Sequence, residues 1–200
     1  MKEQYLKAPA KRGVQTRLFK GVTNVKTILG LAGTHPEKYI EVLPPHKQCV
    51  LVDFNPVHPG IRKNSLIGEF DMLMNQPANY CPVNFVDCDF CRSIINNGAD
   101  LKYIYEKMKL STVKNKYIAF TFSLRGVGLD KTMKWLGENF PELNIPVFYS
   151  FDFLEQDFGP RKYVKRLHDY WKYYDIYCYR DSGDNMISGI IKLENEKFSI

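Results

Sequence analysis

The sequence predicts an α/β fold: a mostly parallel sheet with helices on both faces, closed by a C-terminal antiparallel hairpin. Three observations predict it. Short apolar runs such as "CVLVDFNP" at 49–56 end in an acid and a turn, which is how a strand buried on both faces reads. Segments with helical spacing alternate with those runs, and that alternation builds parallel strands joined by crossovers. Near the end, "YDIYCYRDSGDNMISGIIKLE" at 174–194 holds two strand-like runs around Asp181, Ser182, Gly183 and Asp184, the pattern of a hairpin.

Each element follows in order. Residues 1–24 are basic and polar, with Pro9 and Gly13, and read as a loosely ordered arm with a helical turn near 17–20. Residues 28–31 form the first strand. Thr34, Pro36 and Glu37 mark a helix start by capping, by a fixed first-turn φ and by the dipole. That helix runs to Pro44 and Pro45. Residues 49–56 give the second strand, and "NSLIGEFDML" at 64–73 reads as a third strand passing into a helical turn. "PVNFVDCDFC" at 82–91 is the fourth. Leu101, Ile104, Tyr105 and Met108 stand at helical spacing within 98–110. "NKYIAFTFSLRG" at 115–126 is the clearest strand, rich in aromatic and β-branched residues. Residues 129–140 form a helix, "IPVFYSFDFL" reads as extended, and 160–174 as a basic amphipathic helix. No repeat or internal linker divides the chain, so residues 25–200 make one domain behind the arm.

The totals agree with that plan. A chain of 200 residues, 44% hydrophobic and 25% charged, buries a sizeable core. No apolar run approaches the roughly 20 residues that span a bilayer, and the N-terminus lacks the apolar stretch of a secretory signal. The cysteines at 49, 81, 88, 91 and 178 are odd in number, which points away from a disulfide framework and toward the cytoplasm. Cys88 and Cys91 have redox spacing but lack partners at a zinc spacing, so buried thiols and no metal are expected. A net charge of +6 hints at an anionic partner. The helix at 160–174 mixes Arg161, Lys162, Lys165, Arg166 and Lys172 with Tyr163, Tyr170, Trp171 and Tyr174, a pattern for nucleic acid as well as for ordinary packing. No P-loop is present.

In a parallel α/β sheet the ligand lies outside the carboxyl ends of the strands. Gly30, Leu31, Ala32 and Gly33 end the first strand, and glycines let a backbone approach a ligand closely. Asp53 lies about 20 residues after that turn, the distance at which a carboxylate takes both hydroxyls of a ribose. Glu69 with Asp71, and Asp87 with Asp89, end the next two strands. Each acid also reads as a plain strand-end cap, and the glycines as a tight turn.

The segments "LGLAGT", "LVDFN", "IGEFD" and "VDCDFC", in that order and followed by the closing hairpin, resemble class I S-adenosylmethionine-dependent methyltransferases. The resemblance covers roughly 25–194 and is nearest to small methyltransferase-like proteins of viruses and phages. It implies a Rossmann-like fold and S-adenosylmethionine as cofactor. Gly30, Leu31, Ala32 and Gly33 would line its methionine end, and Asp53 would hold the ribose with Phe54 or Asn55 beside the adenine. Glu69, Phe70 and Asp71 would touch the adenine edge; Asp87 and Asp89 would face the methyl group or its acceptor. Three features depart from the family: the first loop has fewer glycines and no acid before it, two prolines at 56–59 leave little room for a helix between the second and third strands, and the substrate-side motif is not the Asp-Pro-Pro-Tyr type of amino methyltransferases. The rival reading is an inactive protein of the same fold that binds nucleic acid or a partner chain.

Overall fold

The computed structural model describes residues 9–19, 21–32, 48–56, 58–76, 82–90, 92–141, 152–153, 164–170, 174–181 and 183–193. Among these, nine strands form one sheet: β1 (Thr27–Leu31), β2 (Gln48–Asp53), β3 (Arg62–Lys63), β4 (Val83–Asp89), β5 (Lys116–Ser123), β6 (Asp152–Phe153), β7 (Val164–Tyr170), β8 (Tyr174–Asp181) and β9 (Asp184–Leu193). Four helices accompany them: α1 (Pro9–Phe19), α2 (Leu66–Met74), α3 (Ile94–Leu110) and α4 (Leu129–Asn139).

Across the sheet the order is β3-β2-β1-β4-β5-β9-β8-β7-β6. Strands β1 to β5 are parallel. β9 runs antiparallel to β5, and β8 antiparallel to β9, so β8 returns to the direction of β5. The chain lays down β1, builds outward through β2 to β3, then crosses back to place β4 and β5 on the other side. That reversal is the topological switch at which an open α/β sheet forms its crevice. The expected α/β architecture with a closing hairpin is therefore present. The hairpin is not the edge, because β7 and β6 continue beyond it.

Both faces are covered. One carries Leu29, Val52, Val86, Ile118 and Phe122 against Phe70 of α2, Leu101 and Ile104 of α3, and Met133 and Leu136 of α4. The other packs Ile28, Phe85, Tyr117, Tyr177 and Tyr179 against Val14, Leu18 and Phe19 of α1. Every position of β4 and β5 is buried, which is why those segments read as unbroken strands. At their amino ends Asn84 joins three chain segments. Its Oδ1 accepts from the backbone of Lys26 at 2.8 Å and Thr27 at 3.3 Å, and its Nδ2 donates to the carbonyls of Asn24 and Asn115 at 3.0 and 3.2 Å.

Three local expectations change. Residues 9–19 form α1 with its inner face buried, where a loose arm was expected. The third strand is only two residues long, and 66–74 are helical. Ser65 caps that helix by accepting from the Gly68 N–H, and Leu66, Phe70 and Leu73 make a buried helical stripe. The basic helix at 160–174 is not formed: 164–170 are β7 and Tyr174 opens β8. Valine and tyrosine favour strands, and the outer edge of β8 offers a row of backbone groups to pair. No helix separates β2 from β3 among the described residues 54–56 and 58–61, in keeping with the prolines there. The expected helix after 33 and the extended stretch before 152 lie outside the described residues.

Candidate functional site

The parallel strands deliver their carboxyl ends to one rim at the switch. Gly30 of β1 stands level with Leu51 of β2 on one side and Asp87 of β4 on the other. Ala32 follows, buried, and its N–H donates to the Val52 carbonyl at 3.0 Å. Asp53 is the last residue of β2 and Asp89 the last of β4. Asp89 pairs in register with Thr121 of β5, and Thr121 with Ser188 of β9. Side chains alternate along a strand. Cys49, Leu51 and Asp53 therefore share the α1-covered face with Ile28, Gly30, Phe85, Asp87 and Asp89.

Gly30 carries no side chain, and its buried backbone separates Leu51 of β2 from Asp87 of β4 on this face. Cys49, near the start of β2, is exposed; desolvation, and then the Asp87 carboxylate, push its thiol up to about 11. Asp87 and Asp89 are both buried. Lys11 of α1 donates to Asp89 Oδ1 at 2.7 Å, with both side chains under a tenth exposed. Burying two charges sacrifices hydration that their attraction only partly restores, whereas deleting one partner leaves an uncompensated charge. The pair thus seats α1 on the rim. Beside it runs a chain of hydroxyls. Thr121 Oγ1 and Tyr179 Oη each lie 2.8 Å from Ser188 Oγ. Burial raises the Tyr179 hydroxyl well above its ordinary value, although Lys11 works in the opposite direction. It is therefore neutral at any ordinary pH.

On the β2 side, Asp53 Oδ1 accepts from the Asn55 N–H at 2.9 Å, and the Asp53 carbonyl accepts from the Asn64 N–H at 3.2 Å. Phe54, next in the chain, is 68% exposed, a large apolar ring standing in water at the rim.

Glu69, Phe70 and Asp71 are the correction. They lie on α2, not at a strand end. Glu69 is buried and accepts from Arg62 Nη1 and, at 3.1 Å, from Asn64 Nδ2. Phe70 is fully buried in the core. Asp71 accepts from the Tyr103 hydroxyl at 2.8 and 3.0 Å. The rim thus assembles Gly30, Leu31, Ala32, Asp53, Phe54, Asn55, Asp87 and Asp89. Glu69 is linked to it through Arg62 and Asn64, and Gly33 lies outside the described residues. Lys11, Arg62, Asn64, Thr121, Tyr179 and Ser188 join the site without a signal of their own in the sequence. Among the described residues no group of three or more histidine, cysteine, aspartate or glutamate side chains is placed to hold a metal. Among the same residues no helix is long and apolar enough to cross a membrane.

No protein-family model and no curated protein matches the sequence. Among solved structures the chain is similar to the N-methyltransferase NodS from Bradyrhizobium japonicum WM9, at 10% identity and a TM-score of 0.46, over 93% of this chain and 96% of that one. NodS has also been solved in complex with S-adenosyl-L-homocysteine. It is similar too to TrmN from Thermus thermophilus, at 9% identity and a TM-score of 0.42, over 92% of this chain and 49% of that one. This chain thus spans about half the length of TrmN. A third is CalS10 from Micromonospora echinaspora, an amino pentose methyltransferase solved with S-adenosylmethionine bound, at 10% identity and a TM-score of 0.37, over 95% of this chain and 78% of that one.

Proposed function

We propose that this chain is an S-adenosylmethionine-dependent methyltransferase whose cofactor lies across the carboxyl ends of β1, β2 and β4. One observation carries the reading: a parallel β3-β2-β1-β4-β5 sheet is completed by a reversed β9 inserted between β5 and β8, in keeping with the mostly parallel sheet and closing antiparallel hairpin that the sequence resemblance implies. The donor set fits the cofactor. Asp53 ends β2 where a carboxylate takes ribose hydroxyls, Phe54 offers a flat exposed ring beside it, and Asp87, level with Gly30, and Asp89 supply negative charge at the end of β4.

When bound, the cofactor supplies a methyl group already activated by a positive sulfonium. Alignment of the acceptor then provides most of the rate. Asp53 fixes the ribose end. Asp87 orients the acceptor and takes its proton, while Asp89 is held by Lys11 and sets the local field. The acceptor is nucleic acid in this reading, on the strength of the +6 charge and the cations at 161–172.

Isothermal titration with S-adenosylmethionine, S-adenosylhomocysteine and NAD tests it. Binding of the first two and not of NAD is expected. Asp53→Ala should weaken that binding about tenfold or more, the effect of losing hydrogen bonds to a charged group. Binding to none of the three would leave an inactive, partner-binding protein as the better account.

A further inference from the structure

We infer that Glu69 is a positioning residue for the cofactor site, acting on Asp53 through β3; this rests on the reading of Asp53 as the ribose ligand. β3 is two residues long and both are exposed, so its own ladder holds it weakly. Val52 pairs with Arg62 and Asp53 with Lys63. Arg62 and Asn64 flank Lys63, and residues two apart in an extended chain project to the same side. Glu69 grips both: one oxygen takes Arg62 Nη1, the other takes Asn64 Nδ2 at 3.1 Å. Asn64 in turn donates its backbone N–H to the Asp53 carbonyl at 3.2 Å. A single buried carboxylate therefore clamps the strand that fixes the end of β2.

The surroundings are shaped for that clamp. A Cβ on Gly68 would stand 2.7 Å from Asn64 Oδ1 and 3.0 Å from Ser65 Oγ. A side chain at 68 would therefore press on the asparagine side chain that Glu69 holds. Asn64 Oδ1 also accepts from the Ser65 N–H at 2.8 Å, which turns the chain from β3 into α2 at that point. Glu69 touches no cofactor in this account, so its effect appears in how sharply the site recognises the ribose.

The experiment measures affinity for S-adenosylhomocysteine and for its 2′-deoxy counterpart, by calorimetry, in wild type, Glu69→Gln, Asn64→Ala, Asp53→Asn and the Asp53→Asn/Glu69→Gln double variant. Wild type should prefer the ribo form about tenfold or more, as expected for a charge-assisted hydrogen bond. Glu69→Gln and Asn64→Ala should each lose most of that preference while binding the deoxy form as wild type does. The double variant should bind no more weakly than Asp53→Asn alone, because both changes remove one interaction. A Glu69→Gln protein that keeps the preference, or that weakens both ligands equally, overturns the inference; if it does not fold, Asn64→Ala decides by the same criterion. Failure of wild type to bind S-adenosylhomocysteine overturns the proposed function and the inference together. Binding without any ribo preference overturns the role of Asp53 and, with it, this one.

Discussion

At the scale of a single residue, Cys49 reports on the Asp87 carboxylate from its place near the start of β2. Its thiol and the Asp87 carboxylate lie on strands that flank β1, on the α1-covered face of the sheet. Desolvation and then Asp87 raise its pKa from 9.0 to about 11. Thiolate is the reactive form, so at pH 9 only roughly one per cent of Cys49 reacts, against about half of an ordinary thiol. Alkylation by iodoacetamide, followed by peptide mass mapping, should therefore run about 50-fold slower at Cys49 than at a free thiol at pH 9, and climb steeply toward pH 11. Asp87→Asn removes the second cause and should move the profile to lower pH. An unchanged profile would mean that Asp87 does not look across Gly30. The stability sign follows from the same shift. A thiol whose folded value exceeds its unfolded one favours the fold below pH 9, and this contribution fades as pH rises toward 11. Asp53 and Asp87 were legible in the sequence because each closes an apolar run. Lys11 was not: its partner lies 78 residues away, and nothing local separates it from a solvated lysine.

Among elements, the contact of α3 with α4 includes one glycine. Gly98 lies on the buried side of α3, and a Cβ there would come within 2.6 Å of the Trp135 ring on α4. Ala is the better helix former by about 1 kcal/mol, so propensity alone favours Gly98→Ala. Overpacking a filled contact costs about 1–3 kcal/mol, and the ring also stacks edge-on against Phe140 at 5.9 Å, which limits its retreat. Packing wins, and Gly98→Ala should lower stability by about 1 kcal/mol in urea unfolding. A more stable variant would show that α4 shifts freely. The same competition between local preference and tertiary contact decides which elements the sequence disclosed. β4 and β5 are buried on both faces, so their composition is uniform and unambiguous. In α2 the strand-like run "SLIGEF" conceals a helical stripe whose meaning depends on the core it faces. In β7 the basic and aromatic spacing suits a helix and a strand alike, and only the unpaired edge of β8 chooses between them.

For the molecule as a whole, the sheet divides into a part that opens only with global unfolding and a part that opens locally. Amides of β4 and β5 lie in fully buried strands paired on both sides, so they should exchange with solvent only through global unfolding. β3 has two exposed residues at the end of the sheet and should exchange by local opening, orders of magnitude faster. A ligand that binds only the folded chain stabilises it by mass action, by about 2.7 kcal/mol at a hundred times its dissociation constant. S-adenosylhomocysteine at that level should therefore slow exchange in β4 and β5 about a hundredfold, wherever on the protein it binds. The rim amides discriminate. The N–H groups of Ala32, Asn55 and Asn64 hydrogen-bond to Val52 and Asp53, and a ligand seated across β1 and β2 must also suppress their local opening. They should slow as much as β5 does. If β5 slows while Asn55 and Asn64 keep their original rates, the ligand sits elsewhere and the carboxyl rim of β1 and β2 is not its site.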